Sequence, residues 1–127
     1  MDTTARIMRL VLPGLTNRYG SLFGGVALSL MDEAAGIVGT RVARGPVVTA
    51  HIASVDFKAP VRQNEAVEVI ASLISIGRTS MRINVETYGE CMEEGTRRQT
   101  TAAEFVMVAI DRDGHPRPIE VDQGQGE

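Results

Sequence analysis

Residues 26–42, VALSLMDEAAGIVGTRV, are too many for a strand and rich in Ala, Leu and Met, and nearly everything after them is β-prone. One long helix feeding a series of strands leaves few folds open. At a rise of about 1.5 Å per residue, such a helix is about 25 Å long. Arg41 and Arg44 stand near its C-terminus, where the helix dipole favours cations, and Gly45-Pro46 stops it. Ahead of it, residues 6–12 (RIMRLVL) read as a short strand ended by Pro13-Gly14, and residues 15–25 (LTNRYGSLFGG) as a loop. After Pro46, residues 47–57, 66–76, 79–88 and 99–110 are β-prone runs joined by KAPVRQNE, GR and GECMEEGTRR. Consecutive strands with short links predict an antiparallel sheet. The expected fold is α+β: one long central helix wrapped by a curved antiparallel sheet of about five strands. Residues 1–121 are expected to form a single domain, with 122–127 a flexible tail.

This layout has two packing consequences. Val26, Leu28, Leu30, Met31, Ala34, Ala35, Ile37 and Val38 leave the helix no broad polar face, so it must be enclosed on most sides. The strands are also apolar on both faces. In 66–76, Val67, Val69, Ala71 and Leu73 point one way and Ile70, Ile74 and Ile76 the other. One face covers the helix, and the other needs a cover this chain does not hold. A symmetric homodimer, and assembly beyond it, is the economical answer.

Composition narrows the function. With Cys91 alone and two His, neither an intramolecular disulfide nor a Cys/His zinc site can form, and a reducing, cytoplasmic setting is expected. No metal or cofactor is expected. MDTTARIMRL lacks a secretory signal, and no uncharged apolar run reaches membrane-spanning length. A net charge of −3 and an aromatic share of 4 % argue against a nucleic-acid partner.

Asp32 lies mid-helix on a face of small residues, Gly25, Ser29, Asp32, Gly36 and Gly39. Small residues admit another backbone or a slim ligand, and a carboxylate in a dry groove is either paired or functional. From spacing alone, pairing inside an interface and catalysis stand even. Glu33 is about 100° further round and is expected to meet an Arg or solvent. Asn17 reads as a turn residue. Gly24-Gly25 at the helix start let a ligand approach free backbone N–H groups, which stabilise a developing negative charge. Arg78, Thr79 and Ser80 at a tight turn form a weak phosphate-holding signal. His51 is expected in the core or an interface, and His115 in solvent.

The run Asn17-Arg18-Tyr19-Gly20-Ser21-Leu22-Phe23-Gly24-Gly25 followed by Met31-Asp32-Glu33-Ala34-Ala35 resembles the signature of the YciA/BACH-type acyl-CoA thioesterases of the hotdog fold. Val47-Val48-Thr49-Ala50, Val55-Asp56-Phe57, Pro60-Val61, Gly77-Arg78-Thr79-Ser80-Met81 and the 105–111 run add to it, covering about residues 7–118. The resemblance implies hydrolysis of an acyl-CoA to a free acid and CoA. It implies Asp32 as general base or nucleophile, Asn17 of a neighbouring subunit positioning thioester or water, and the Gly24 or Gly25 N–H polarising the carbonyl. Arg78, Thr79, Ser80 and Lys58 would lie toward the CoA nucleotide. Dimers with interfacial sites, assembled to tetramers or hexamers, are implied as well. Two departures stand out. Leu15 replaces an Asp, which bears on the loop around Asn17. Asn64-Glu65 replaces a Gly-Asp turn in a hairpin, where it is expected to matter less.

A hotdog hydratase or dehydratase is the rival enzyme class. It usually carries a His beside the Asp, where this chain has Gly20 and Ser21; His51 in the same cleft as Asp32 would favour it. An acyl-CoA sensor is the non-catalytic rival and needs an output module for which this chain leaves no room.

Overall fold

The computed structural model describes residues 3–120; the tail expected at 122–127 lies outside them. Strand β1 (Thr4–Leu10) leads through a 3-10 turn (Pro13–Leu15) to helix α1 (Gly24–Ala43). Strands β2 (Val47–Phe57), β3 (Ala66–Ile76), β4 (Ser80–Cys91) and β5 (Thr96–Ala109) follow. They form one five-stranded sheet in the order β1-β3-β4-β5-β2, and all neighbours are antiparallel.

Helix α1 lies across one face of this sheet. Its buried residues Leu30, Met31, Ala34, Ala35, Val38 and Val42 recur at helical spacing and pack with Val69, Ala71, Ile83, Val85, Phe105 and Met107. Met31, Ala34, Ala35 and Val38 are fully buried, so this contact is the centre of the core. The enclosure expected on most sides is not found within one chain. Gly25, Ser29 and Asp32 are exposed, Gly36 is half-buried, and only Gly39 closes against Val47 and Met107. At the C-terminus, Arg44 adopts the left-handed conformation and its N–H bonds Thr40 O. Arg117 reaches back to donate to Ala43 O at 2.7 Å, satisfying an end carbonyl.

The outer sheet face also differs from expectation. Its middle is charged and paired rather than oily. Glu68 sits between Arg6 (3.0 Å) and Arg97 (2.8 Å), and the Arg97 guanidinium lies 3.7 Å over the Tyr88 ring. Arg82 pairs with Glu104 further along the same face, toward the other end of β4. Exposed apolar side chains lie chiefly on the edge strands, Met8 and Leu10 on β1 and Val48, Ile52 and Phe57 on β2, with Ile74 on β3 exposed as well. The sheet has two open edges, β1 and β2, whose backbones pair with β3 and β5 alone, and the β2 edge is the one beside Asp32.

Glu65 and Glu104 are held below the ordinary carboxyl value of 4.5, each chiefly by a hydrogen bond from its arginine, Arg98 and Arg82 respectively. The unfolded chain binds more protons at these sites, so they add stability at neutral pH that is lost as pH falls below that value. Denaturation midpoints measured from pH 7 down to about pH 3 will fall, and Glu65→Gln will make that acid limb shallower. An unchanged limb in the variant would show that the Glu65 carboxylate gains nothing on folding.

Candidate active site

The loop before α1 is organised by Asn17. Its Oδ1 accepts the backbone N–H groups of Tyr19 (2.9 Å) and Ser21 (3.1 Å), and its own N–H donates to Ser21 O at 2.8 Å. The turn role is therefore real. It also spends the side-chain oxygen and leaves the Nδ2 hydrogens without an acceptor among the described residues, as a donor at the loop surface. Leu15 serves through its carbonyl, which accepts the Phe23 N–H at 3.1 Å. That bond needs no particular side chain, so the departure at this position leaves the loop intact.

Phe23 then begins the helix without a side-chain cap, and the first bond into the turn runs from Ala27 N to Phe23 O at 3.0 Å. The N–H groups of Gly24 and Gly25 precede that bond and stand at the positive end of the helix dipole. Asn17, Tyr19, Gly24, Phe57, Lys58 and Pro60 line one cavity of about 400 Å³. A Cβ on Gly24 would touch the Phe57 ring at 3.4 Å, so a larger side chain would fill the cavity's inner end. Lys58 is exposed and donates to Gln99 Oε1 at 2.9 Å.

Asp32 stands eight residues into α1, about 12 Å along the axis from Gly24, and does not line that cavity. It is exposed in the single chain, and its Oδ1 accepts a short hydrogen bond from the Thr49 hydroxyl on β2. Thr49 Oγ1 also lies 3.3 Å from Met107 Sδ, so its position is set by the sheet. Sequence reasoning missed Thr49 as a partner. The available signal was a hydroxyl near the start of an otherwise largely apolar strand. Glu33 meets Arg9 at 3.8 Å, as expected.

The Arg78-Thr79-Ser80 turn lies at the far end of the sheet. Thr79 O accepts the Ala109 N–H at 2.9 Å, and Ala109 pairs with Val47, whereas Phe57 pairs with Thr101. Along β2, that separates Arg78 from Lys58 by on the order of 25–30 Å within one protomer. One chain thus holds three separate pieces: amide donors, a carboxylate and a basic turn. His51 is exposed, not in the core. It pairs with Val106 on the outer face, across the sheet from Asp32. Asp111, Asp113 and the exposed His115 cluster at a turn where Asp111 Oδ1 already accepts two backbone N–H groups.

Comparison with known proteins matches the chain to one family. A model described as the thioesterase superfamily matches residues 19–96. The acyl-CoA thioester hydrolase YciA of Salmonella typhimurium is 35% identical over 95% of this chain and 96% of its own length. An apo-hexameric acyl-CoA thioesterase superposes with a TM-score of 0.90 at 38% identity, over 94% of this chain and 76% of that one. A Staphylococcus aureus acyl-CoA hydrolase solved with butyryl coenzyme A, coenzyme A and coenzyme A disulfide does so with a TM-score of 0.87 at 27% identity, over 94% of this chain and 73% of that one.

The two uses of the Asn17 amide separate by substitution. Asn17→Ala will speed hydrogen exchange at the Tyr19 and Ser21 amides by about tenfold, the loss of one hydrogen bond. Asn17→Asp keeps the acceptor and will keep their protection. Equal protection in wild type and Asn17→Ala would mean that the side chain does not hold the loop.

Proposed function

The chain belongs to the thioesterase superfamily, and on that premise we propose that it hydrolyses acyl-CoA thioesters to a free carboxylic acid and CoA, at sites shared between two protomers. The observation that carries this reading is Asp32. Its carboxylate is held by one hydroxyl on the open face of α1, while the donors suited to a thioester carbonyl occupy a different cavity of the same chain. A twofold axis at the free edge of β2 would reverse one protomer against the other. The start of one helix would then approach the middle of the other, completing two equal sites.

In such a site, the thioester oxygen lies against the N–H of Gly24 or Gly25, and the Asn17 amide of the same protomer orients the thioester or the water. Asp32 of the partner subunit either takes a proton from water as its oxygen attacks the carbonyl carbon, or attacks that carbon itself. The direct attack expels CoA thiolate and forms an acyl anhydride, which water then hydrolyses to the acid and the free carboxylate, a proton of that water going to the thiolate. In the water route, the tetrahedral oxyanion collapses with cleavage of the C–S bond. The proton held by Asp32 passes to the departing sulfur, giving CoA thiol and the acid. Thr49 keeps the carboxylate aimed by donating to one oxygen, leaving the other to react. Reversal of one protomer also brings the basic turn Arg78-Thr79-Ser80 of one chain to the same end as Lys58 of the other. Together they suit the phosphates of CoA.

This reading takes residues 1–121 as one thioesterase domain, with the dimer as the working unit and a hexamer as its assembly, the state named for the superposed apo-hexameric thioesterase. It places the reaction in the cytoplasm, where the lone Cys91 stays reduced. Among the described residues, no helix is long and apolar enough to cross a membrane. The position of His51, across the sheet from Asp32, takes away the residue a hydratase reading would need.

Thiol release from a panel of acyl-CoAs is the direct assay. Asp32→Asn will lower kcat by about 10²–10⁴ with KM little changed, and Thr49→Val by about tenfold. Normal turnover in Asp32→Asn would remove Asp32 from the chemistry. In a separate measurement, His51→Ala will stay within about twofold of wild type, because surface changes away from the site have small effects. A loss of turnover there would put His51 back among the reacting groups.

A further inference from the structure

One ion pair ties together the walls of the cavity that holds Asn17 and Gly24. Arg98, on β5, donates from Nη2 to Glu65 Oε1 at 2.7 Å and from Nη1 to Glu65 Oε2 at 3.2 Å. The same Nη2 donates to the carbonyl of Pro60, a cavity-lining residue. Glu65 Oε1 further accepts the Arg62 N–H at 2.8 Å, closing the turn 62–65 on itself. The Glu65 side chain is only 16% exposed, so the pair works where water competes weakly.

That turn is what holds the Asn17 loop. Gln63 N donates to Gly20 O and Leu22 N to Val61 O, both at 2.8 Å, and Ser21 bridges Arg62. Asn64 N donates to Val11 O at 2.8 Å, and Val11 N to Glu65 O at 2.9 Å, fixing the base of the loop. The loop has little apolar anchoring of its own. Leu22 packs against the core, but Tyr19 and Phe23 are exposed. Its position therefore rests on segment 60–65, which is held by the buried Val61, by the Val11 backbone bonds and, from its side chains, by the Arg98 fork.

We infer that Arg98 and Glu65 are positioning residues for the thioester site, setting the Gly24 N–H and the Asn17 amide through the turn 60–65. The inference rests on the hydrolase reading given above. Oxyanion donors act only at the right distance, and a displacement of about 1 Å can cost two orders of magnitude in rate. The planar fork matters as well as the charge, so Lys cannot replace Arg98 fully. Glu65, expected from its place in a hairpin to matter little, becomes the far end of the catalytic loop's support.

The test uses the full chain in its native assembly, with Glu65→Gln, Arg98→Lys and the double variant. Each single variant will lower kcat by about tenfold while KM stays within about twofold. The double variant will be no worse than the poorer single, because the two side chains act as one unit. Exchange at the Leu22 and Gln63 amides will quicken, while the Val85 amide in mid-sheet keeps its wild-type protection. Wild-type kcat in both single variants overturns the inference. So does a rise in exchange spread evenly over the sheet with turnover per folded molecule unchanged, which is the mark of a purely structural pair. If wild type releases no thiol from any acyl-CoA, the hydrolase reading fails. Exchange at Leu22 and Gln63 then still decides whether the pair holds the loop.

Discussion

The contact on which everything else rests is the seating of one side of α1 on the inner sheet face. Met31, Ala34, Ala35 and Val38 lose all contact with water there, against Phe105, Met107, Ile83 and Val85. Burial at about 25 cal/mol per Å² of apolar surface makes this the dominant stabilising term. It also fixes the rotation of the helix. With that side turned inward, Gly25, Ser29 and Asp32 have to face outward, and a Thr49 hydroxyl on the adjacent edge strand is the group that meets the carboxylate. The placement of Asp32 thus follows from the helical repeat of its apolar neighbours.

The sheet order supplies the second constraint. β2 leaves α1 and runs to the outer edge beside β5, so the strand nearest Asp32 has one side unpaired. Two bulges, between Thr49 and His51 and between Ala53 and Asp56, twist this edge. The first of them puts Thr49 on the helix side and His51 on the other. A shift of one residue in that strand would exchange the two and give the helix carboxylate an imidazole in place of a hydroxyl.

Much of the fold could be read from the residues. The helix predicted over 26–42 runs Gly24–Ala43, and the strand runs bounded by Gly and Pro became β2, β3, β4 and β5 with ends shifted by a few residues. Asp32 and Gly24 were legible as candidates because local spacing carries them, whereas Asn17 read as a turn residue and became a candidate only through the family resemblance. What local spacing could not carry was pairing across distance. Thr49 meets Asp32, and Arg98 meets Glu65, only because the strand order folds those segments together. The charged middle of the outer face was missed for the same reason. The strand pattern shows Ile70 but not that Glu68 beside it is neutralised by Arg6 and Arg97, which come from two other strands. The separation of the amide donors from the carboxylate within one chain is likewise a property of tertiary geometry.

The uncapped start of α1 has a consequence for the protein with and without its ligand. Helices usually begin with a Ser, Thr, Asp or Asn whose side chain closes the first turn, and omitting it costs about 1 kcal/mol. Here Phe23 fills that place, and two glycines, the most freely moving of residues, come next. In the proposed reaction, an oxygen atom brought by the substrate would fulfil the role that a side chain fulfils elsewhere. The first turn nonetheless closes without it, through the Ala27 N–H bond to Phe23 O at 3.0 Å, so these amides are already in place before anything binds.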